Sequence, residues 1–537
     1  MRSRENTDGR SAKQRDANLV TPNALHGPPV WRRSPRHVRR ACRRSAQTAR
    51  HALRVRVSDL ENGGLKFRSA GADGPRAEKP LPLQPNIATA YRRHGTSKGT
   101  ARMTTKPAAR PPRATVDLYL SAMATIIMVT IVGAVIAYKT TLIQHIPTTP
   151  FFSIYGLVVV GYIVSRFALS LFYRPCPDMG LKPTLAVVMP AFNEEGAITT
   201  SITALLGSDY PPSKMEIVVV NDGSTDRTGQ QIDQMARRDP RVRVIHFPEN
   251  RGKRAAMAAG IRATKAEVIA FVDSDSVLER SSLRALVQDF KDPRVNAVAG
   301  HADVLNEDRS FLTRMQAVRY FVAFRVSKAA ESVFGAVTCC SGCFSAYRRS
   351  AIMPGLSEWE NQTFLGRAAT FGDDRALTNL VLRTGLVRYN RDAISRTLVP
   401  EEYSKFLRQQ LRWKRSWTRE SLSAMRIMWR KHPAAALATY IGVALPIISP
   451  LVAIRALAIR PVLDDTGPWV YILGLYSTAL LFGLYYEAAN RRGDRMWFYG
   501  VGFVFFYVAV LVWQTYWALL TARRNDWGTR STAPVQK

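Results

Sequence analysis

Val268-Ile-Ala-Phe-Val-Asp-Ser-Asp275 is the stretch from which the architecture can be read. Five apolar residues, mostly β-branched or aromatic, read as a short strand buried on both faces. Two carboxylates one residue apart leave its end, where an open α/β sheet binds its ligands. The pattern recurs on both sides. Apolar runs at 185–189, 217–220, 242–247 and 295–299 alternate with amphipathic segments such as 196–206 and 253–263. Such alternation predicts an α/β domain with a mainly parallel sheet over residues 184–403.

Outside this domain the chain is apolar. Residues 118–138 carry no charge and 151–173 carry only Arg166, so each is long enough to span a bilayer as a helix. Arg110 and Arg113 precede the first run, and Arg174 and Lys182 follow the second, which places both outer flanks in the cytosol. Further apolar runs lie at 434–456, 469–486 and 497–520, within an expected transmembrane region 434–522. Between domain and runs, residues 404–431 mix Arg, Lys and Trp with Leu, Met and Ile. That composition predicts a helix at the membrane surface, because Trp413, Trp417 and Trp429 are costly to leave in water. Three single passes would put the tail 523–537 outside, whereas Arg523-Arg524 argue for the cytosol. Either 497–520 does not cross once, or Pro446 and Pro450 break 434–456.

The chain holds 76 Lys+Arg against 41 Asp+Glu, a net charge of +35. Residues 1–102 hold 23 and 7 of these, so nearly half the excess sits in the first fifth. That segment has no helical or strand period and reads as a disordered basic extension, with Met103 as an alternative start. The remaining charge suits cytosolic flanks and an anionic ligand, not nucleic acid. Five cysteines at these spacings do not form a disulfide framework. Cys340-Ser-Gly-Cys343 lacks a second ligand pair for zinc, so reduced thiols are expected. No obligate protein partner is evident.

Polar clusters fall at the strand ends. Pro190-Ala-Phe-Asn-Glu-Glu195 and Asn221-Asp-Gly-Ser-Thr-Asp226 offer an aromatic ring and acidic groups that can grip a base and ribose. Either one alone is also explained as a turn with caps at Asn193 and Asp226. Asn250-Arg-Gly-Lys-Arg254 opens a helix with cations and free amides suited to a diphosphate. Asp273 and Asp275 form a hard oxygen site for Mg²⁺ or Mn²⁺. Gly372-Asp-Asp-Arg375 supplies a candidate base, or equally a capped helix start. Gln409-Gln-Leu-Arg412-Trp413 offers a cation for pyrophosphate and a ring face for a sugar. Together they point to sugar transfer from a nucleoside diphosphate donor. With one base and no second carboxylate nucleophile, inversion is expected.

The order Asn-Asp-Gly-Ser, Asp-x-Asp, Gly-Asp-Asp-Arg and Gln-x-x-Arg-Trp resembles the processive family 2 glycosyltransferases. Asn361-Gln-Thr-Phe-Leu-Gly366, Arg412-Trp-Lys-Arg-Ser-Trp-Thr-Arg-Glu-Ser421 and Trp527-Gly-Thr-Arg530 are similar to class I hyaluronan synthases. Cys339-Cys340 and Tyr347-Arg-Arg349 also resemble nodulation-type chitooligosaccharide synthases. The likeness runs from about residue 118 to 530 and implies a GT-A-type domain inserted between transmembrane helices of the plasma membrane.

By the same resemblance, Asp222, Phe192 and Glu194 hold the uridine end of a UDP-sugar, and Lys253 with Arg254 the diphosphate. Asp275 is the principal metal ligand, supported by Asp273. Asp374, beside Asp373, is the base. Arg412 contacts pyrophosphate. Gln409 and Trp413 carry the growing polysaccharide, and Ser341, Gly342 and Cys343 line its terminal sugar. Trp527 and Arg530 gate the site. Where the family usually has Pro, this chain has Cys343, which bears on the acceptor. The implied activity is polymerisation of UDP-N-acetylglucosamine, with UDP-glucuronate, into an exported hyaluronan-like chain. The alternatives are a chitin-type enzyme using UDP-N-acetylglucosamine only, or a non-processive enzyme acting on a lipid carrier.

Overall fold

The computed structural model describes residues 150–524 apart from 464–466 and 491–495, together with Met123, Ile126, Thr130 and Gly133. The basic extension 1–102, nearly all of the run 118–138, and Trp527 and Arg530 lie outside the described residues.

Helix α1 (Pro150–Phe172) leads into β1 (Leu185–Ala191), α2 (Ile198–Leu206), β2 (Met215–Asp222), α3 (Thr228–Arg238), β3 (Val242–Phe247), α4 (Lys253–Ala263) and β4 (Val268–Val272). There follow β5 (Val277–Leu278), α5 (Ser282–Val287), β6 (Val295–Val304), α6 (Phe311–Val322) and β7 (Phe344–Arg348). A small hairpin, β8 (Thr363–Phe364) and β9 (Arg367–Ala368), precedes α7 (Asp373–Leu382) and β10 (Leu386–Thr397). The eight-stranded sheet runs β3-β2-β1-β4-β7-β6-β10-β5. Strands β3 to β4 pair in parallel, as do β6 and β10. β7 enters antiparallel between β4 and β6, and β5 pairs antiparallel with β10.

The apolar runs have a simple cause: the sheet is covered on both faces. Val188, Val218, Val220, Ile269 and Phe271 pack under Met257 and Ile261 of α4 and Leu377 and Val381 of α7. Val187, Met189, Ile217 and Val219 pack under Ile198, Ile202 and Leu205 of α2 and Leu283 of α5. Each such side chain contributes roughly 1.5–3 kcal/mol by leaving water. This double burial holds the tips of β1, β2 and β4 side by side, and the polar clusters follow those tips.

Beyond the domain lie α8 (Tyr403–Met428), α9 (Pro433–Ile454), α10 (Trp469–Asn490), α11 (Met496–Phe506) and α12 (Gln514–Leu520). Among the described residues, Ile154–Phe172 and Pro433–Leu463 are long and apolar enough to cross a membrane. Met496–Leu511 and Gln514–Leu520 qualify only together, as a pair bent by 44°. α9 continues through Pro446 and Pro450, and among the described residues Trp469–Asn490 is not one of the helices that are long and apolar enough to cross. α8 buries Phe406, Gln410, Arg415, Arg419 and Glu420. Trp413 and Trp417 on α8 face a cavity, which accounts for them without a membrane surface, while Trp429 is 63% exposed.

Candidate active site

A cavity of about 820 Å³ opens over the carboxyl ends of β1, β2 and β4 and reaches Pro446 of α9 and Thr515 of α12. Its size is that of a ligand site, for which about 300–1,000 Å³ is usual. It gathers most of the residues that the sequence singles out. Phe192, Glu194, Asp222, Lys253, Asp273, Asp275, Asp373 and Asp374 all line it. Ser341, Gly342, Cys343, Gln409, Arg412 and Trp413 line it as well.

At the strand tips, the loops after β1 and β2 are stitched together. The Asn193 amide donates to Ser224 Oγ at 3.0 Å, and Asn193 Oδ1 accepts from the Thr225 amide at 2.9 Å. The turn reading holds, but α2 and α3 begin without a side-chain cap, and Asp226 Oδ1 instead accepts from the Thr228 amide at 2.9 Å. Asp222 is buried, and its two oxygens accept from the amides of Arg251 (2.8 Å) and Gly252 (3.0 Å). It thereby fixes the loop that opens α4. Lys253, the first residue of α4, extends its ammonium to Asp273. A Cβ at Gly342 would lie 3.3 Å from Lys253 Nζ and 3.5 Å from Asp273 Oδ1, so the thiol-bearing loop presses directly on this ion pair.

Arg254 turns away from this cluster. Its Nε donates to Asp373 Oδ1 at 2.7 Å, with the two side chains only 6% and 7% exposed. Its Nη1 donates to the Trp359 carbonyl at 3.0 Å and to Gln362 Oε1 at 2.9 Å. This corrects the expectation for Arg254, which does not line the cavity, while Asp373, which does, is held in a buried ion pair that ties α4 to α7.

Asp374 is different. Gly372, at φ +85°, starts α7 in a left-handed conformation, and a Cβ there would fall 2.1 Å from Ser416 Oγ of α8. Only glycine meets both demands. The turn presents Asp374 to the cavity, with Oδ1 accepting from the Arg375 amide at 2.8 Å and Oδ2 from Cys339 Sγ at 3.4 Å. Burial pushes the Cys339 thiol up to about 11 and that of Cys343 to about 12, with Asp374 and Asp273 respectively adding to the effect.

Among the described residues no group of three His, Cys, Asp or Glu side chains converges as a metal cage. Asp273 and Asp275 offer oxygen ligands alone, and Asp275 meets the Ser276 and Thr397 hydroxyls at the long distance of 3.5 Å. One or two carboxylates completed by phosphate oxygens and water is how Mg²⁺ or Mn²⁺ is usually held. The donor set fits such an ion.

Lining residues that the sequence did not single out include the cations Arg319, Lys328, Lys405 and Lys414. They project from helical segments, not strand ends. Their one signal is a lone charge in an apolar run for Arg319, and adjacency to Trp413 for Lys414.

A family model for glycosyl transferase family 2 matches residues 186–355. The chain is 40% identical over 250 residues to an N-acetylglucosaminyltransferase of Azorhizobium caulinodans, covering 46% of this chain and 63% of that protein. It is 32% identical over 393 residues to a hyaluronan synthase of Streptococcus pyogenes, covering 72% of this chain and 92% of that one. Among solved structures it is similar to a mannosyltransferase from Pyrobaculum calidifontis in complex with GDP-Man and Mn²⁺. There the identity is 19% and the TM-score 0.44, over 66% of this chain and 98% of the other.

Proposed function

The chain belongs to the family 2 glycosyltransferases and is a hexosyltransferase, and on that premise we propose that it is a membrane-embedded, processive, inverting polymerase. Its donors are UDP-N-acetylglucosamine and UDP-glucuronate, and its product is a hyaluronan-like chain exported across the plasma membrane. One observation carries this reading. A single cavity joins the nucleotide-facing loops, Asp374 and the Arg412-Trp413 pair to residues of the apolar helices α9 and α12.

In this arrangement the loops after β1 and β2 hold uridine, while Lys253 and Arg412 face the diphosphate. Asp275, assisted by Asp273, would hold Mg²⁺ or Mn²⁺, which supplies charge neutralisation for the leaving group. The acceptor sugar rests on Trp413, with its terminal residue against Ser341, Gly342 and Cys343. Asp374 takes the proton of the acceptor hydroxyl as its oxygen attacks the anomeric carbon opposite the departing UDP. The Arg375 amide and the Cys339 thiol fix the carboxylate for this step. In this reading the tail is cytosolic, and from it Trp527 and Arg530 act as the gate.

Membranes are incubated with each UDP-sugar alone and with both. Polymer formed only with both donors, and digestible by hyaluronidase, is the expected result. The second reading, a chitin-type enzyme, is favoured by the likeness to the Azorhizobium caulinodans protein. It requires polymer from UDP-N-acetylglucosamine alone.

A further inference from the structure

The end of the cavity nearest the apolar helices is cationic and uncompensated. Helix α6 buries Leu312, Met315, Ala317, Val318 and Phe321, together with the hydrogen-bonded Thr313 and Gln316. From it Arg319 enters the cavity, its guanidinium 5.5 Å from the Trp413 ring and 5.6 Å from that of Phe503. Arg319 Nη1 is buried with no hydrogen-bond partner. Lys414, the residue after Trp413, donates to Thr515 Oγ1 at 3.1 Å and to the Leu511 carbonyl. Burial and the nearby Arg319 lower its pKa to about 8. Among the described residues neither cation is ion-paired with a carboxylate. Gln409 Oε1, on the same helix as Lys414, is likewise buried without a partner.

Two partly buried cations with no carboxylate opposite them are unfavourable until an anion arrives. The donor diphosphate already has Lys253 and Arg412 assigned to it, whereas Arg319 and Lys414 lie beside Trp413, the platform for a sugar ring, with the Arg319 guanidinium 5.5 Å from that ring. A carboxylate carried on a sugar satisfies both sets of groups: its oxygens meet the guanidinium and ammonium, its ring meets Trp413, and a hydroxyl donates to Gln409. We propose that Arg319 and Lys414 form a subsite for the carboxylate of a uronic acid residue in the growing chain, and so select an acidic polymer over a neutral one. This rests on reading the cavity as a glycosyltransferase acceptor site, and it names the residues that would recognise acidity in the acceptor.

Binding is measured on the detergent-solubilised full chain with two probes. One is a tetrasaccharide alternating glucuronate and N-acetylglucosamine, and the other is chitotetraose. The wild type is expected to prefer the acidic probe by tenfold or more, and the preference is expected to weaken with salt. In Arg319→Gln and in Lys414→Gln the ratio is expected to fall to within twofold of unity, and Arg319→Lys is expected to restore most of it. Equal binding of both probes by the wild type overturns the proposal, as does a preference that survives both Gln variants. If the variants lose competition by inorganic pyrophosphate but keep the acidic preference, the cations belong to the leaving group and the proposal is wrong. Failure to transfer sugar from any UDP-sugar is a separate result, which strikes the function and not the subsite.

Discussion

Arg254→Met separates scaffold from chemistry at the start of α4. The substitution keeps the length and apolar stem of the side chain but removes the charge that meets Asp373 at 2.7 Å. Both groups are more than nine-tenths buried, so Asp373 is left as a charge without its partner. Two acceptors, the Trp359 carbonyl and Gln362 Oε1, also lose their donor. Breaking a buried pair costs roughly 3–5 kcal/mol. The helix N-terminus still favours Asp373 and offsets about 0.5–1 kcal/mol of this. The loss should therefore sit near the lower end, about 3 kcal/mol, equivalent to roughly 6–12 °C in the melting temperature of a domain this size. The assay pairs thermal unfolding of the solubilised protein with UDP binding in the folded fraction. UDP affinity should stay within about twofold, because Arg254 does not line the cavity. Lys253→Gln is the contrast, and should weaken UDP roughly tenfold or more, as expected for a lost charge-assisted hydrogen bond. Adding Asp373→Asn to Arg254→Met should recover part of the stability, since the orphaned charge is gone. An Arg254→Met protein that melts normally but binds UDP tenfold more weakly would refute this reasoning and return Arg254 to the diphosphate.

Three further outcomes are expected. Gly372→Ala must adopt φ +85° and push against Ser416, so it should lose about 1–3 kcal/mol of stability and most polymer synthesis, while Ser416→Gly in the same chain relieves only the clash. Lys414 has a folded-state pKa near 8, below its ordinary 10.5, so the unfolded chain holds more protons between those values. Stability should therefore rise as pH climbs from about 8 toward 10.5, and affinity for an acidic oligosaccharide should fall over the same range. Lys414→Arg should flatten both profiles; profiles identical to wild type would show that another group titrates. Asp275→Asn should raise the Mn²⁺ concentration needed for half-maximal synthesis by tenfold or more, and undiminished synthesis in excess chelator would remove Asp275 from the metal site.

The sheet was legible where burial is two-sided. β4 and α4 appear at the bounds read from residue pattern alone, because apolar strands and an amphipathic helix report their own environment. β10 did not announce itself, since Arg388, Asn390, Arg391 and Asp392 interrupt it. Two of these polar residues are met by partners far along the chain: Arg388 Nη2 donates to Asp292 Oδ2 at 3.1 Å, and Asn390 Nδ2 donates to the Ala285 carbonyl at 3.0 Å and to Asp289 Oδ2 at 3.1 Å, while Asp392 is exposed. The same distance in sequence hid the role of Arg254, whose partner lies 119 residues away. A cation at a helix start reads as an anion site until the fold supplies a buried carboxylate. Arg319 was invisible for the opposite reason. Its significance lies in the partner it lacks, and no sequence pattern records an absence.

The central claim is that one carboxylate, Asp374, performs the proton transfer in a cavity shared by donor and acceptor. Its most direct measurement is UDP binding and polymer synthesis by Asp374→Asn, side by side. The substitution keeps the shape of the side chain and an acceptor oxygen for the Arg375 amide, so the donor site is left standing. Full UDP binding with polymer synthesis reduced a thousandfold or more is the expected result. Polymer synthesis near the wild-type rate would contradict the account at its root.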